Sequence, residues 1–319
     1  MTNLDKNDKK ILLELDKNSR QSYTQIAGKV RLSKEAVRLR IQKLEKEKII
    51  EGYYSLVNFP LLGENLYLIY LKTYGMNPEI EKKFIEHVNK IKNVGLNVSV
   101  IGFSNFNLAI WSKSPFEFEK TFTKILEGFE KYIFKKIIMV ESSANYFKNK
   151  FFFPLVLNTD ILRTESASKP EEIDNRDFLI LESLAENARI SASDLAVKTN
   201  LTAAAVAQRI KNLEKRKIIL GYKVQVNFNL FHLKIFLKLQ DMNGLLEKKM
   251  INYLNGIREV VSVSKTYGDY DLEFRIQVES ILQIEEIING FRTEFQKNFQ
   301  DFEMIIFTRF HKVLNYFPA

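Results

Sequence analysis

The sequence has 319 residues, 45% of them apolar and 27% charged, with a formal net charge of +9; that length suits two to four small domains, each able to bury a core. It contains no cysteine, which excludes disulfides, thiolate metal sites, cysteine nucleophiles and iron–sulfur clusters, and its three histidines, His87, His232 and His311, are too scattered for a zinc site. No apolar run approaches the roughly 18 to 20 residues that cross a bilayer, and MTNLDKNDKK lacks a hydrophobic signal segment, so a cytoplasmic protein with no membrane partner is expected and the basic balance favours a polyanion such as nucleic acid.

The first predicted helix begins at Asp5 and Asp8, carboxylates placed where free backbone N–H groups need acceptors, and Ile11, Leu12 and Leu15 form its apolar stripe. Ser22 with Gln25 three residues on is a capping box that opens the second. Ser33 caps the third, whose Val37, Ile41 and Leu44 point inward, and small Ala27 marks where the second crosses it closely. These features define a helix-turn-helix, followed by a strand containing Gly52 and Tyr53. The pattern then becomes strands near 66–73, 94–101, 106–112 and 133–142 with helices near 79–92 and 115–130, the βαββαβ order of a ferredoxin-like sandwich. The phenylalanines, Phe116, Phe118, Phe122, Phe129 and Phe151 to Phe153 among them, fit core and interface packing.

Beyond this, LVLNTDILRTESASKPEE at 155–172 ends in a polar stretch and is expected to be a flexible coil with a reach of roughly 25 Å. The chain then starts again. A shift of 169 residues aligns 4–53 with 173–222 without a gap and with close to half the positions identical, among them Arg20/Arg189, Ala27/Ala196, Arg40/Arg209 and Gly52/Gly221. Strands near 233–240, 260–267, 270–278 and 302–310 and helices near 245–257 and 280–297 follow; in YDLEFRIQV, Leu272, Phe274, Ile276 and Val278 alternate with Glu273, Arg275 and Gln277, the pattern of a half-buried strand. The expected class is α+β, with a (winged) helix-turn-helix domain at 1–56, a ferredoxin-like domain at 57–154, a linker at 155–172, a second helix-turn-helix at 173–225 and a second ferredoxin-like domain at 226–319.

In a helix-turn-helix the N-terminal half of the last helix enters the major groove of double-stranded DNA. Here that helix offers Ser33, Lys34, Glu35, Arg38 and Gln42, with Lys43 for phosphate; arginine and lysine pair with guanine edges and glutamine with adenine. The second copy offers Thr202, Ala203, Ala204, Ala207 and Lys211, with Asn212 nearby, so weaker and different contacts are expected there. Charge follows the same asymmetry: 13 Lys or Arg against 8 Asp or Glu over 4–53, but 8 against 6 over 173–222. Arg40 and Arg209 have two possible jobs, clamping a phosphate or pairing with Asp8 and Asp177, and the second better explains their presence in both copies.

A beginning LDxxDxxIL, then LSxxxVxxRIxxLE, a Gly-Tyr strand and a βαββαβ domain together resemble the leucine-responsive/asparagine-operon (Lrp/AsnC) regulator family, over nearly the whole chain and twice over. The resemblance implies a transcriptional regulator, with the duplication standing for a dimer tied into one chain, two unequal half-sites about one or a few helical turns apart, and a homodimer of the fused chain. It also implies an amino-acid effector near a Gly-x-x-Asp turn, here Gly268, Asp269, Tyr270 and Asp271; the first copy has Gly102 in a longer turn with Asn107 in place of the aspartate. Where the family commonly has glycine, this chain has Arg31 and Asn200 before the last helix and Lys48 and Lys217 after it. No catalytic residue, cofactor or metal is expected. The alternatives are a ligand-sensing or assembly protein without DNA binding, and an enzyme like the siroheme decarboxylases, which share this plan and whose signature NLAIW at 107–111 faintly matches, though their pocket histidines are missing here.

Overall fold

The structure, a computed structural model, describes residues 4–148, 150, 161–165, 169–228 and 230–313. In chain order its main elements are α1 (Lys6–Lys17), α2 (Tyr23–Val30), α3 (Lys34–Lys46), β1 (Ile50–Val57), β2 (Asn65–Thr73), α4 (Pro78–Lys90), β3 (Val94–Gly102), β4 (Phe106–Ser112), α5 (Pro115–Leu126), β5 (Ile133–Tyr146) and β6 (Leu162–Thr164). The second half continues with α6 (Asn175–Glu186), α7 (Ala192–Thr199), α8 (Ala203–Lys215), β7 (Ile219–Val226), β8 (Phe231–Leu239), α9 (Gly244–Gly256), β9 (Val260–Tyr267), β10 (Leu272–Val278), α10 (Leu282–Glu294) and β11 (Phe299–Val313). They form two compact units, one holding both helix-turn-helix segments and the other both βαββαβ segments.

In the first unit the helix starts follow the caps read from the sequence. Asp5 accepts from the N–H groups of Asn7 and Asp8 at 2.7 and 2.8 Å, and Ser22 and Gln25 exchange their bonds at 2.8 and 3.2 Å. Ser33 and Thr202 cap α3 and α8, each accepting at 3.1 Å from the N–H three residues on. Val37, Ile41 and Leu44 pack on Ile11, Leu12, Leu15, Ile26 and Ala27 in one buried cluster. The four positions that lack glycine are left-handed, with φ of 59° at Arg31 and Lys48, 52° at Asn200 and 57° at Lys217. That geometry lets the next residue's N–H reach back to the helix, as Leu32 does to Ala27 at 3.1 Å and Ile49 to Leu44 at 2.9 Å.

The strand after each recognition helix forms no wing on its own module; β1 and β7 pair with one another, antiparallel. The ladder maps onto itself under the 169-residue shift, since Gly52 faces Gln225 and Gly221 faces Leu56. Arg20 donates to the carbonyls of Ala188 and Ile190 at 2.5 and 3.1 Å, and Arg189 returns the pair of bonds to Ser19 and Gln21 at 2.5 and 3.2 Å. Each guanidinium also lies over a tyrosine of the paired strands, Tyr222 and Tyr53.

In the second unit each repeat contributes a four-stranded antiparallel sheet, β5-β2-β4-β3 and β11-β8-β10-β9, and the pairs β5–β9 and β3–β11 join both edges. The helices cover the outer faces: Phe84, Val88 and Ile125 pack on Ile69, Leu71, Phe106 and Leu108. The inner faces meet through Leu66, Tyr70, Val98, Val100, Met139, Phe236 and Ile305. Here the offset between copies is 166 residues, β2 starting at Asn65 and β8 at Phe231.

Four expectations are corrected. On the polar face of β10 Glu273, expected in solvent, is buried, while Arg275 stays exposed and Gln277 half-buried; the second sheet covers that end of the face, which an isolated sandwich would leave wet. The connector is not coil throughout, because Leu162–Thr164 adds a strand beside β5 and the Glu171 N–H donates to the Leu61 carbonyl at 2.8 Å; residues 155–160 and 166–168 of that expectation lie outside the described residues. The two sandwich turns have the same length, and Asn105, not Asn107, stands where Asp271 does: each accepts from the last N–H of a neighbouring strand, Asn105 from Thr73 at 2.9 Å and Asp271 from Leu239 at 2.8 Å. Of the phenylalanines, Phe116 is exposed while Phe118 and Phe122 stack on each other and Phe129 packs on Phe84; Phe151 to Phe153 lie outside the described residues.

Candidate nucleic-acid interface

The buried stripe of α3 fixes which side chains face outward. Lys34, Glu35, Gln42 and Lys43 are exposed and Arg38 partly so. Arg38 is held in place along the helix: Nε donates to both oxygens of Glu35 at 3.1 and 3.0 Å, the ion pair with Glu35 closes through Nη2, and Nη1 donates to Gln42 at 3.2 Å. This bond holds the Glu35 carboxyl below its usual range and raises the guanidinium. A planar fork fixed on an exposed helix face suits bidentate pairing with a guanine edge. Ser33 spends its hydroxyl on the helix cap, which leaves the α3 N-terminus with backbone N–H groups for phosphate.

Arg40, two residues on, points the other way. It bridges Asp5 at 2.6 Å and Asp8 at 2.7 Å, and Arg209 bridges Asp174 and Asp177 at 2.8 Å each. The helix cap and the arginine both pull the Asp5 and Asp174 carboxyls down. These arginines tie the last helix of each module to the start of its first helix.

On α8, Ala203 and Ala204 are exposed, Ala207 is half-buried and Lys211 is exposed; Gln208 donates to Asn212 at 3.1 Å, so the polar groups pair along the helix. A groove of about 570 Å³ is lined by Asp177, Arg209, Asn212, Lys215 and Arg216, of which Arg216 stands where the first copy has Glu47 and also donates to the Glu172 carbonyl at 2.6 Å. Sequence reasoning missed this groove because its residues are spread over two helices. Arg20 and Arg189 were also missed as pairing residues, although their retention off the apolar stripe was the available signal.

The turn Gly268–Asp271 of the second unit has structural work. A Cβ on Gly268, at φ +141°, would press on the Ile138 carbonyl, Asp271 caps the end of β8, and Tyr270 packs on Phe236 and Phe103. Asp269 is exposed, and its carbonyl accepts from Lys238 at 3.0 Å.

The winged helix-turn-helix DNA-binding family matches at residues 4–51 and again at 173–219. An uncharacterized HTH-type transcriptional regulator of Pyrococcus furiosus is 35% identical over 96 residues, 30% of this chain and 61% of that protein, so the chain spans about three fifths of this relative. HTH-type transcriptional regulator LrpA of Pyrococcus horikoshii is 40% identical over 89 residues, 28% of this chain and 60% of that protein. Among solved structures, that of the siroheme decarboxylase NirDL covers 98% of this chain and 95% of its own at a TM-score of 0.64 and 14% identity, a likeness of fold. Both helix-turn-helix segments therefore match a family of DNA-binding modules. Over part of its length the chain is similar in sequence to regulators named LrpA and LysM.

Proposed function

We propose that the chain is a sequence-specific DNA-binding transcriptional regulator, a fused pseudo-dimer in which α3 is the main reading helix and α8 makes a weaker, different contact. The observation that carries this reading is Arg38, fixed between Glu35 and Gln42 on an exposed face flanked by Lys34 and Lys43, against Ala203, Ala204 and Ala207 on its counterpart. The curated relatives named as HTH-type transcriptional regulators support it. The test compares Lys34→Ala/Arg38→Ala with Thr202→Ala/Lys211→Ala on DNA selected by the wild-type chain, at one salt concentration. The first pair should weaken binding by at least tenfold more than the second, since a bidentate base contact is worth about 1–3 kcal/mol; equal losses would remove the asymmetry from the reading.

The proposed function includes no catalysis. The likeness to a siroheme decarboxylase is one of fold, and His87, His232 and His311 sit on α4, β8 and β11 with separate neighbours. Titration with an iron tetrapyrrole should leave the Soret band unshifted. Gly268 and Asp271 serve the sheet, and the proposed function assigns no effector to the turn from Gly268 to Asp271. Association of whole chains into a homodimer stays in the reading, and light scattering checks it.

A further inference from the structure

Each of the two units contains a buried polar contact that only one of its two related positions possesses. In the first unit Lys223 on β7 meets both carboxylate oxygens of Asp16 on α1 at 3.3 Å, and both residues are buried. The counterparts at the 169-residue offset are Tyr54 on β1 and Ala185 on α6. In the second unit Lys234 pairs with Glu273 at 2.7 Å and donates to the Tyr70 hydroxyl at 3.1 Å, which donates to Glu273 at 2.9 Å; Ser264 donates to Glu141 at 2.7 Å. Tyr70 and Glu141 come from the first repeat, and Lys234, Ser264 and Glu273 from the second. At the 166-residue offset their counterparts are Phe236, Phe307, Leu68, Val98 and Asn107.

We propose that these one-sided contacts make the two repeats complementary to each other and not to themselves, so that a first repeat accepts a second repeat and refuses another first repeat. Two first repeats brought together would set Asp16 against Tyr54, and would set Glu141 against Val98 with no hydroxyl donor. Two second repeats would leave Lys223 against Ala185 with no carboxylate, and would replace Tyr70 by Phe236. Each mismatch takes the cation, the carboxylate or a hydroxyl away from a buried polar group, which disfavours the wrong pairing. The partner these surfaces fit is thus the other half of the same chain, and the refused partner is the like half of a second copy. This goes beyond the DNA-binding reading and does not depend on it.

The chain has no native cysteine, and residue 54 faces residue 223, its own counterpart. Pairing of two first repeats would place residue 54 opposite itself, so Tyr54→Cys in the full-length chain reports that pairing as a covalent dimer on a non-reducing gel. After refolding and oxidation, Tyr54→Cys alone should stay uncrosslinked. Adding Asp16→Ala and Lys223→Tyr, which gives both seams the residues already present at 185 and 54, should raise the covalent dimer several-fold. Equal crosslinking in the two chains, including none in either, overturns the proposal. If that variant does not fold, the exchange Asp16→Lys/Lys223→Asp in the Tyr54→Cys background should remain uncrosslinked, whereas Asp16→Lys alone should crosslink; the same result from both again overturns it.

Discussion

Arg38 and Arg40 differ by two positions, about 200° around a helix, and that rotation separates a residue offered to a partner from one used within the fold. Arg40→Ala leaves Asp8 buried without its cation, so the module should lose about 1–2 kcal/mol of stability. Thermal denaturation should show the loss, and DNA affinity measured well below the transition should change less than twofold. Arg209→Ala should behave alike. The left-handed positions give the opposite sign: Arg31→Gly and Lys48→Gly each remove the Cβ strain of a positive φ, and should each gain about 0.5–1 kcal/mol, less than the full strain because glycine loses more entropy on folding. Asn200→Gly should gain less, since asparagine tolerates this region. Denaturant titration measures all three. At this scale much was legible from the chain alone: caps at Asp5, Ser22, Ser33 and Thr202, and the inward stripe, because each rests on contacts within four residues. The pairing of Arg38 with Glu35 and Gln42 rests on the same local spacing and could also have been read.

Elements were legible where their signal is local and obscure where a distant surface decides. The strands and helices of both βαββαβ segments fall within a few residues of their predicted bounds. Periodicity could not say that β1 would pair with β7, that Leu162–Thr164 would join a sheet edge, or that Glu273 would be covered, because each depends on a partner outside its own element and its neighbours in sequence. The same covering acts on Glu141. Its carboxyl is pushed up to about 7 by burial and by the neighbouring Glu273, against the opposing pull of Ser264, Lys234 and Arg275. A raised carboxyl pKa means that the folded chain holds this proton more tightly than the unfolded one. Its stabilising contribution is therefore complete below the ordinary carboxylate range and is lost as pH rises through about 7. Stability should fall by about 2 kcal/mol between pH 5 and pH 8 from this group, and Glu141→Gln should flatten that slope. Denaturant titrations across this range decide it; an unchanged slope in the variant assigns the pH dependence to other groups.

For the whole molecule, the proposed function gives duplication within one chain something that a dimer of identical chains lacks, a pair of unlike reading helices. Identical subunits present the same side chains to both half-sites and therefore select a palindrome; α3 and α8 present Lys34, Glu35 and Arg38 against Ala203, Ala204 and Ala207. Selection from random DNA should recover one well-defined half-site and one degenerate half-site. Base changes in the first should cost about 1–3 kcal/mol each and those in the second less. Lys43→Ala should lower the salt slope of binding by about one, whereas a pure base contact would leave it unchanged. The variant Ala203→Lys/Ala204→Glu/Ala207→Arg puts the first face onto α8 while leaving its inward stripe, Val206, Ile210 and Leu213, untouched. If outward side chains alone set the lopsided operator, this variant should select a near-palindrome built from the well-defined half-site. If it keeps the wild-type motif, the asymmetry resides instead in how the second module meets DNA, and α8 is a pairing element that does not read sequence.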